Sequence, residues 1–153
     1  MALFEDLKVW QLSQELTVEI YRLLHQNNDY GFKDQIQRAS VSIMNNIAEG
    51  SESGSDALYL KFLKIAKGSC AEVRSMLYLS KELGYCTNED VMNLIDKTLF
   101  ISRSLNRLNP LLPAKERVIC FSNRWFSLYL DQSSTRLCPA NLQISKSSNL
   151  PIY

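Results

Sequence analysis

Arg38, Glu49 and Glu72 are the side chains whose types could combine into a reaction centre. Two carboxylates beside a guanidinium can divide the work of general acid, general base and charge stabiliser. The same groups can also form a structural ion pair, and their neighbours favour that use. Gln35, Arg38, Ser42, Asn45, Asn46 and Glu49 fall together on one stripe of a helical wheel, and nearly all make directional hydrogen bonds. Lys and Glu are the usual residues of a solvated helix face. Short amides, a hydroxyl, one Arg and one Glu suit a partly desolvated polar seam that must satisfy every donor and acceptor. The expectation is an Arg38–Glu72 pair between helices or between subunits, completed by Ser42, Asn45, Asn46 and Ser69. Such a seam fixes register and partner choice.

Other chemistry finds few residues to work with. His25 is the sole histidine, and no nucleophile elbow or Gly-x-Ser-x-Gly string accompanies it. A di-iron site in a helical bundle needs two Glu-x-x-His pairs, and the chain has none. The helical ribonucleases of toxin systems place a His four to six residues after an Arg, a spacing that Arg22-Leu23-Leu24-His25 does not match. Cys70, Cys86, Cys120 and Cys138 stand 16, 34 and 18 positions apart, without a C-x-x-C pair, and read as reduced thiols rather than zinc ligands. There is no phosphate-binding loop or dinucleotide fingerprint. The expectation is a protein with no catalytic residues, no metal, no cofactor and no small-molecule substrate.

Binding to a polyanion is better provided for. Lys64, Lys67, Arg74 and Lys81 follow one another at 3, 7 and 7 residues, which makes a single ridge on a helix, and Lys61 adjoins it. Lys97, Arg103 and Arg107 form a smaller set. A charge run is more often a solvated face than a binding site. Net charge adds a second restraint: the chain carries +1, but residues 1–108 hold 12 Lys and Arg against 14 Asp and Glu, a net of −2, while residues 109–153 hold 5 against 2. A uniformly basic binder is excluded. A phosphate-binding surface must come from local clustering or from symmetry that repeats a modest patch.

Four helices are needed to position these groups. Val9, Leu12, Leu16, Ile20 and Leu23 predict an amphipathic helix over about 5–26. Ile36, Ala39, Ile43 and Ile47 make the buried stripe of a second, opening at Lys33 or Asp34 and stopped by Gly50. A third runs from Asp56 to Leu83, capped by Ser55, with Leu58, Phe62, Ile65, Ala66, Ser69, Val73, Met76, Leu77 and Leu83 on its apolar face. Gly68 within it costs about 1 kcal/mol against alanine, so a close neighbour is expected there. The fourth follows the capping pattern Thr87-Asn88-Glu89-Asp90, with Val91, Leu94, Thr98, Ile101, Leu105 and Leu108 in a heptad-like seam. Short loops between such helices predict an all-α, antiparallel up-down four-helix bundle over 1–108. The second helix is expected to be shorter than its neighbours. After Asn109-Pro110 the periodicity ends, and 109–153, rich in Ser, Asn and Pro towards its end, reads as an irregular, poorly ordered extension. It is either a partner-binding arm or a segment with no selected role. No apolar run reaches the roughly 20 residues that span a bilayer, and the acidic start Phe4-Glu5-Asp6 is unlike a secretory leader; no membrane association and a cytoplasmic protein are expected.

The run Gln35-x-x-Arg38-Ala39-x-x-Ser42-Ile43-x-x-Asn46-Ile47-Ala48-Glu49-Gly50, followed by Phe62-Leu63-x-Ile65-Ala66-x-Gly68-Ser69-x-x-Glu72, resembles the four-helix bundle family of 23S rRNA intervening-sequence proteins. That family also contains the accessory variability determinant proteins of diversity-generating retroelements. The likeness begins at Phe4-Glu5-Asp6-Leu7-x-Val9-Trp10 and runs to about Leu108. It implies a homo-oligomer, by analogy a pentameric barrel, associated with structured RNA or a ribonucleoprotein. The alternative is a protein–protein scaffold whose lysines serve solubility alone.

Overall fold

Periodic apolar residues and two side-chain caps divide the chain into four helices. In the computed structural model, which describes residues 3–108, a 3-10 turn over Phe4–Asp6 precedes α1 (Lys8–Leu23), α2 (Tyr30–Glu52), α3 (Asp56–Glu82) and α4 (Asn88–Arg107). The extension 109–153, with Cys120 and Cys138, lies outside the described residues.

Neighbouring helices run antiparallel. Gln35 on α2 meets Glu72 on α3, whereas Ser42, further along α2, meets Ser69, earlier on α3. The contacts close in a ring of α1–α2, α2–α3, α3–α4 and α4–α1, with the α2–α3 pair the most extensive. The core is a continuous column that includes Leu16, Ile20, Ile36, Ile43, Ile47, Ala66, Val73, Leu77, Val91, Ile95, Ile101 and Leu105. Burying one such Leu or Ile side chain stabilises by about 1.5–3 kcal/mol, so this column outweighs any single polar contact. At one end of the bundle, Asp29 ties two loops together. Its Oδ1 accepts from the Phe32 amide at 3.0 Å and its Oδ2 accepts from the Tyr85 hydroxyl at 2.9 Å. The Phe32 and Tyr85 rings meet edge to face, 5.1–5.3 Å being the span of the two ring pairs Phe4–Trp10 and Phe32–Tyr85. Between α1 and α4, Lys97 pairs with Glu19.

Several expectations need correction. The helix expected over 5–26 is split, because the chain makes a 3-10 turn and passes through Leu7 in extended geometry before α1 begins. The second helix opens at Tyr30, since Asp29 rather than a residue near 33 supplies the cap. It is 23 residues long, against 16 for α1 and 20 for α4, so it is not the short helix expected. Gly50 does not stop it. A Cβ at that position would stand 3.1 Å from Phe62 Cβ and from Tyr59 Cδ2, so Gly50 is the point of close approach between α2 and α3. The left-handed glycine belonging to that turn is Gly54, at φ 65°. Gly68 has the opposite history: a Cβ there would meet nothing within 4 Å, so no close neighbour within the bundle accounts for it. Ser55 sits at the N-cap of α3 but makes no side-chain capping bond.

On α3 the buried face is rotated from the one expected. Leu63, Cys70 and Ser80 join Ala66, Ser69, Val73, Met76 and Leu77 inside, while Leu58, Ile65 and Leu83 are exposed. An apolar set nearly all round a helix does not say which part of it the core takes. The α4 seam holds as spaced, with Val91, Leu94, Thr98, Ile101 and Leu105 buried and Leu108 half-buried. Thr87 caps that helix, its hydroxyl accepting from the Asp90 amide at 3.2 Å.

Candidate nucleic-acid interface

The polar stripe of α2 divides along its length into two flanks. On the flank nearest α3, Ser42 and Ser69 share a hydrogen bond of 2.9 Å, and Ser69 also donates to the Ile65 carbonyl. Asn46 donates to the carbonyl and the hydroxyl of Ser42, at 2.7 and 3.1 Å, and Gln35 donates to Glu72 at 3.4 Å. Ser42 and Asn46 are half-buried there. The other flank, with Arg38, Asn45 and Glu49, is exposed. Within the chain Arg38 and Glu72 are not paired: the guanidinium turns to Asp34, one helical turn back, at 3.6 Å, and the two side chains are 78% and 67% exposed. An i, i+4 pair of this kind contributes only about 0.3–0.5 kcal/mol. Arg38, Glu49 and Glu72 therefore do not converge, and acid–base cooperation among them has no geometry to work with.

His25 borders a groove lined also by Val18, Tyr21, Arg22, Leu23 and Val41. The hydroxyl-bearing residues that line it are Thr17 and Tyr21, and Thr17 donates to the Ser13 carbonyl, so no serine nucleophile stands by the ring. Cys70 is sealed inside, where burial pushes its thiol up to about 12; burial also raises Cys86. Both are poor thiolates. Among the described residues no group of three His, Cys, Asp or Glu side chains could hold a metal ion.

The basic ridge keeps its geometry. Lys61, Lys64, Lys67 and Lys81 are exposed along α3, and Arg74 is half-buried. α3 is continuous through all five, so their spacing along the helix is preserved. Lys67 donates to Asn106 on α4 at 2.9 Å, which sets the ridge on the side of α3 that adjoins α4. Of the smaller set, Arg103 is exposed, Arg107 is half-buried, and Lys97 is occupied with Glu19 between α1 and α4. Charge spacing alone passes over Tyr78, which lies on this same outer face with half of its surface exposed. The signal for it is positional: Tyr78 is four residues after Arg74 and three before Lys81, the separations that make helical neighbours.

The model of the 23S rRNA-intervening sequence protein family matches residues 5–107. The chain belongs to this family. A solved structure similar to this chain is that of a protein of unknown function from the S23 ribosomal protein family of Bacteroides thetaiotaomicron VPI-5482. The two share 26% sequence identity and a TM-score of 0.63, over 67% of this chain and 98% of that one. No curated protein matched the chain. The match ends where α4 ends, so the family is carried by the four helices that hold both the α2 stripe and the α3 ridge.

Proposed function

We propose that this chain is a non-enzymatic, homo-oligomeric four-helix bundle, pentameric by family resemblance, that binds structured RNA or a ribonucleoprotein through the ridge on α3. The observation that supports RNA binding is the ridge itself, with Lys61, Lys64, Lys67 and Lys81 reaching solvent from one rigid helix beside a half-buried Arg74. Exposed cations in a line can follow a phosphate backbone, and each phosphate contact releases counterions, which makes binding fall steeply with salt. Repetition around a symmetric oligomer would multiply a ridge too weak to act alone. A non-catalytic role is supported by the way the polar groups are used: Arg38 is held by Asp34, Glu72 by Gln35 and Ser42 by Ser69.

A second reading, a scaffold that docks a protein, is favoured by one feature. Leu58, Ile65 and Leu79 on α3, and Leu83 at its C-cap, are large, apolar and exposed. The two readings separate in light scattering after size-exclusion chromatography, with and without total RNA at about 50 and 500 mM salt. The RNA reading expects a discrete oligomer that takes up RNA only at low salt. Lys64→Glu with Lys67→Glu should weaken that uptake strongly, leave the mass of the free protein unchanged and reduce the salt dependence by about two phosphate contacts. An oligomer that ignores RNA at low salt is the scaffold.

A further inference from the structure

The ridge is not uniformly ionic. At 100° per residue, Lys64, Lys67, Arg74, Tyr78 and Lys81 fall within an arc of about 100°, and Tyr78 lies near its middle. The Tyr78 ring is 53% exposed. Arg74 and Lys81 stand one turn to either side of it, and the small, exposed Ala71 lies between Tyr78 and Lys67. From Lys64 to Lys81 the line of cations is about 25 Å long. Acids also border it: Glu82 follows Lys81 on α3, and Asp96 is exposed on α4.

An exposed aromatic ring between cations adds a flat apolar face that lysines alone do not provide. It is suited to unpaired nucleotides. Bases in a duplex are already stacked on one another and present only their edges, so a tyrosine beside a duplex gains contact with sugar and phosphate alone. A base that has left the stack offers a flat face of about the area of a phenol ring, and its two flanking phosphates reach the cations one turn away. We infer that the α3 ridge takes single-stranded segments of RNA, with Tyr78 stacking on an unpaired base while Arg74 and Lys81 hold the flanking phosphates. This rests on the RNA reading above and narrows it from structured RNA in general to its unpaired loops and ends.

The test is fluorescence anisotropy on the full chain at about 50 mM salt, with two labelled probes, an oligouridylate and an RNA duplex of equal length. The unchanged protein should bind the oligouridylate more tightly. Tyr78→Leu should weaken it by about ten-fold or more and leave duplex binding unaltered, and Tyr78→Trp, which enlarges the stacking face, should restore or exceed the original affinity. Lys64→Glu with Lys67→Glu should weaken both probes. Equal oligouridylate affinity for Tyr78→Leu and the unchanged protein, with the lysine variant still defective, overturns the stacking role and leaves the ridge standing. Preference for the duplex overturns it too. Loss of neither probe in the lysine variant removes the ridge and the inference together.

Discussion

Asp29 joins three parts of the bundle through one carboxylate: the loop after α1, the first turn of α2 and the loop before α4. Two hydrogen bonds to the charged form, from the Phe32 amide first and the Tyr85 hydroxyl second, hold its carboxyl below the ordinary value of 3.8. The phenol is raised in turn, chiefly by its bond to Asp29. A carboxylate favoured in the folded state contributes stability that is complete above its unfolded value and disappears as pH falls through the lower, folded one. The raised Tyr85 works in the opposite sense, its contribution being lost as pH climbs through its folded value above 10.0. Asp29→Ala should therefore lower the melting temperature by a few degrees at neutral pH and flatten the loss of stability in strong acid. Tyr85→Phe should do part of this and also remove the alkaline loss. Thermal melts of the three proteins from about pH 3 to pH 11 decide the matter, and parallel curves across that range would mean that the contact is idle.

Among the helices, two glycines carry opposite expectations. Gly50→Ala drives a methyl group to 3.1 Å from Phe62 and Tyr59, and should destabilise the bundle by about 1–3 kcal/mol in chemical denaturation. Gly68→Ala meets open space and should stabilise it by up to about 1 kcal/mol through helix propensity. If Gly68→Ala also lowers the mass of the assembled protein, then a second chain is what packs against that glycine. The same pair shows where the sequence could be read and where it could not. The four helices, the α4 seam and the ridge were legible because each depends on spacing along one element. Gly50 is ambiguous in the sequence because a glycine after a run of helical residues has two uses, and only the approach of α3 selects between them. Arg38 and Glu72 do not pair within the chain, because a helical wheel gives an angle but not the direction in which the neighbouring helix lies. Asp29, as the true start of α2, was obscured by Tyr30-Gly31, which resembles turn chemistry until the cap to Phe32 is known.

For the molecule as a whole, the proposed assembly is the property to test first. Arg38 is a clean probe of it. Its one ion pair is with Asp34 in its own helix, both side chains are largely exposed, and Arg38→Ala should change the stability of the fold by less than about 0.5 kcal/mol. A homo-oligomer seated on the α2 flank predicts that this variant nevertheless has a lower mass in light scattering. An unchanged mass moves the contact elsewhere and leaves the apolar row of Leu58, Ile65, Leu79 and Leu83 as the surface to alter next.

The core holds polar groups whose arrangement bears on how such a protein changes over generations. Ser13, Thr17, Ser40, Ser80 and Thr98 are buried, and each donates to a carbonyl three or four residues earlier in its own helix. None of these hydroxyls asks the adjoining helix for a matching group. The interior thus imposes shape on its neighbours but almost no hydrogen-bonding code, and Ser42 with Ser69 is the inter-helix exception among the buried and half-buried hydroxyls. A helix whose buried hydroxyls are satisfied within itself can exchange one of them for an apolar residue of similar size without leaving a polar group on the next helix unpaired.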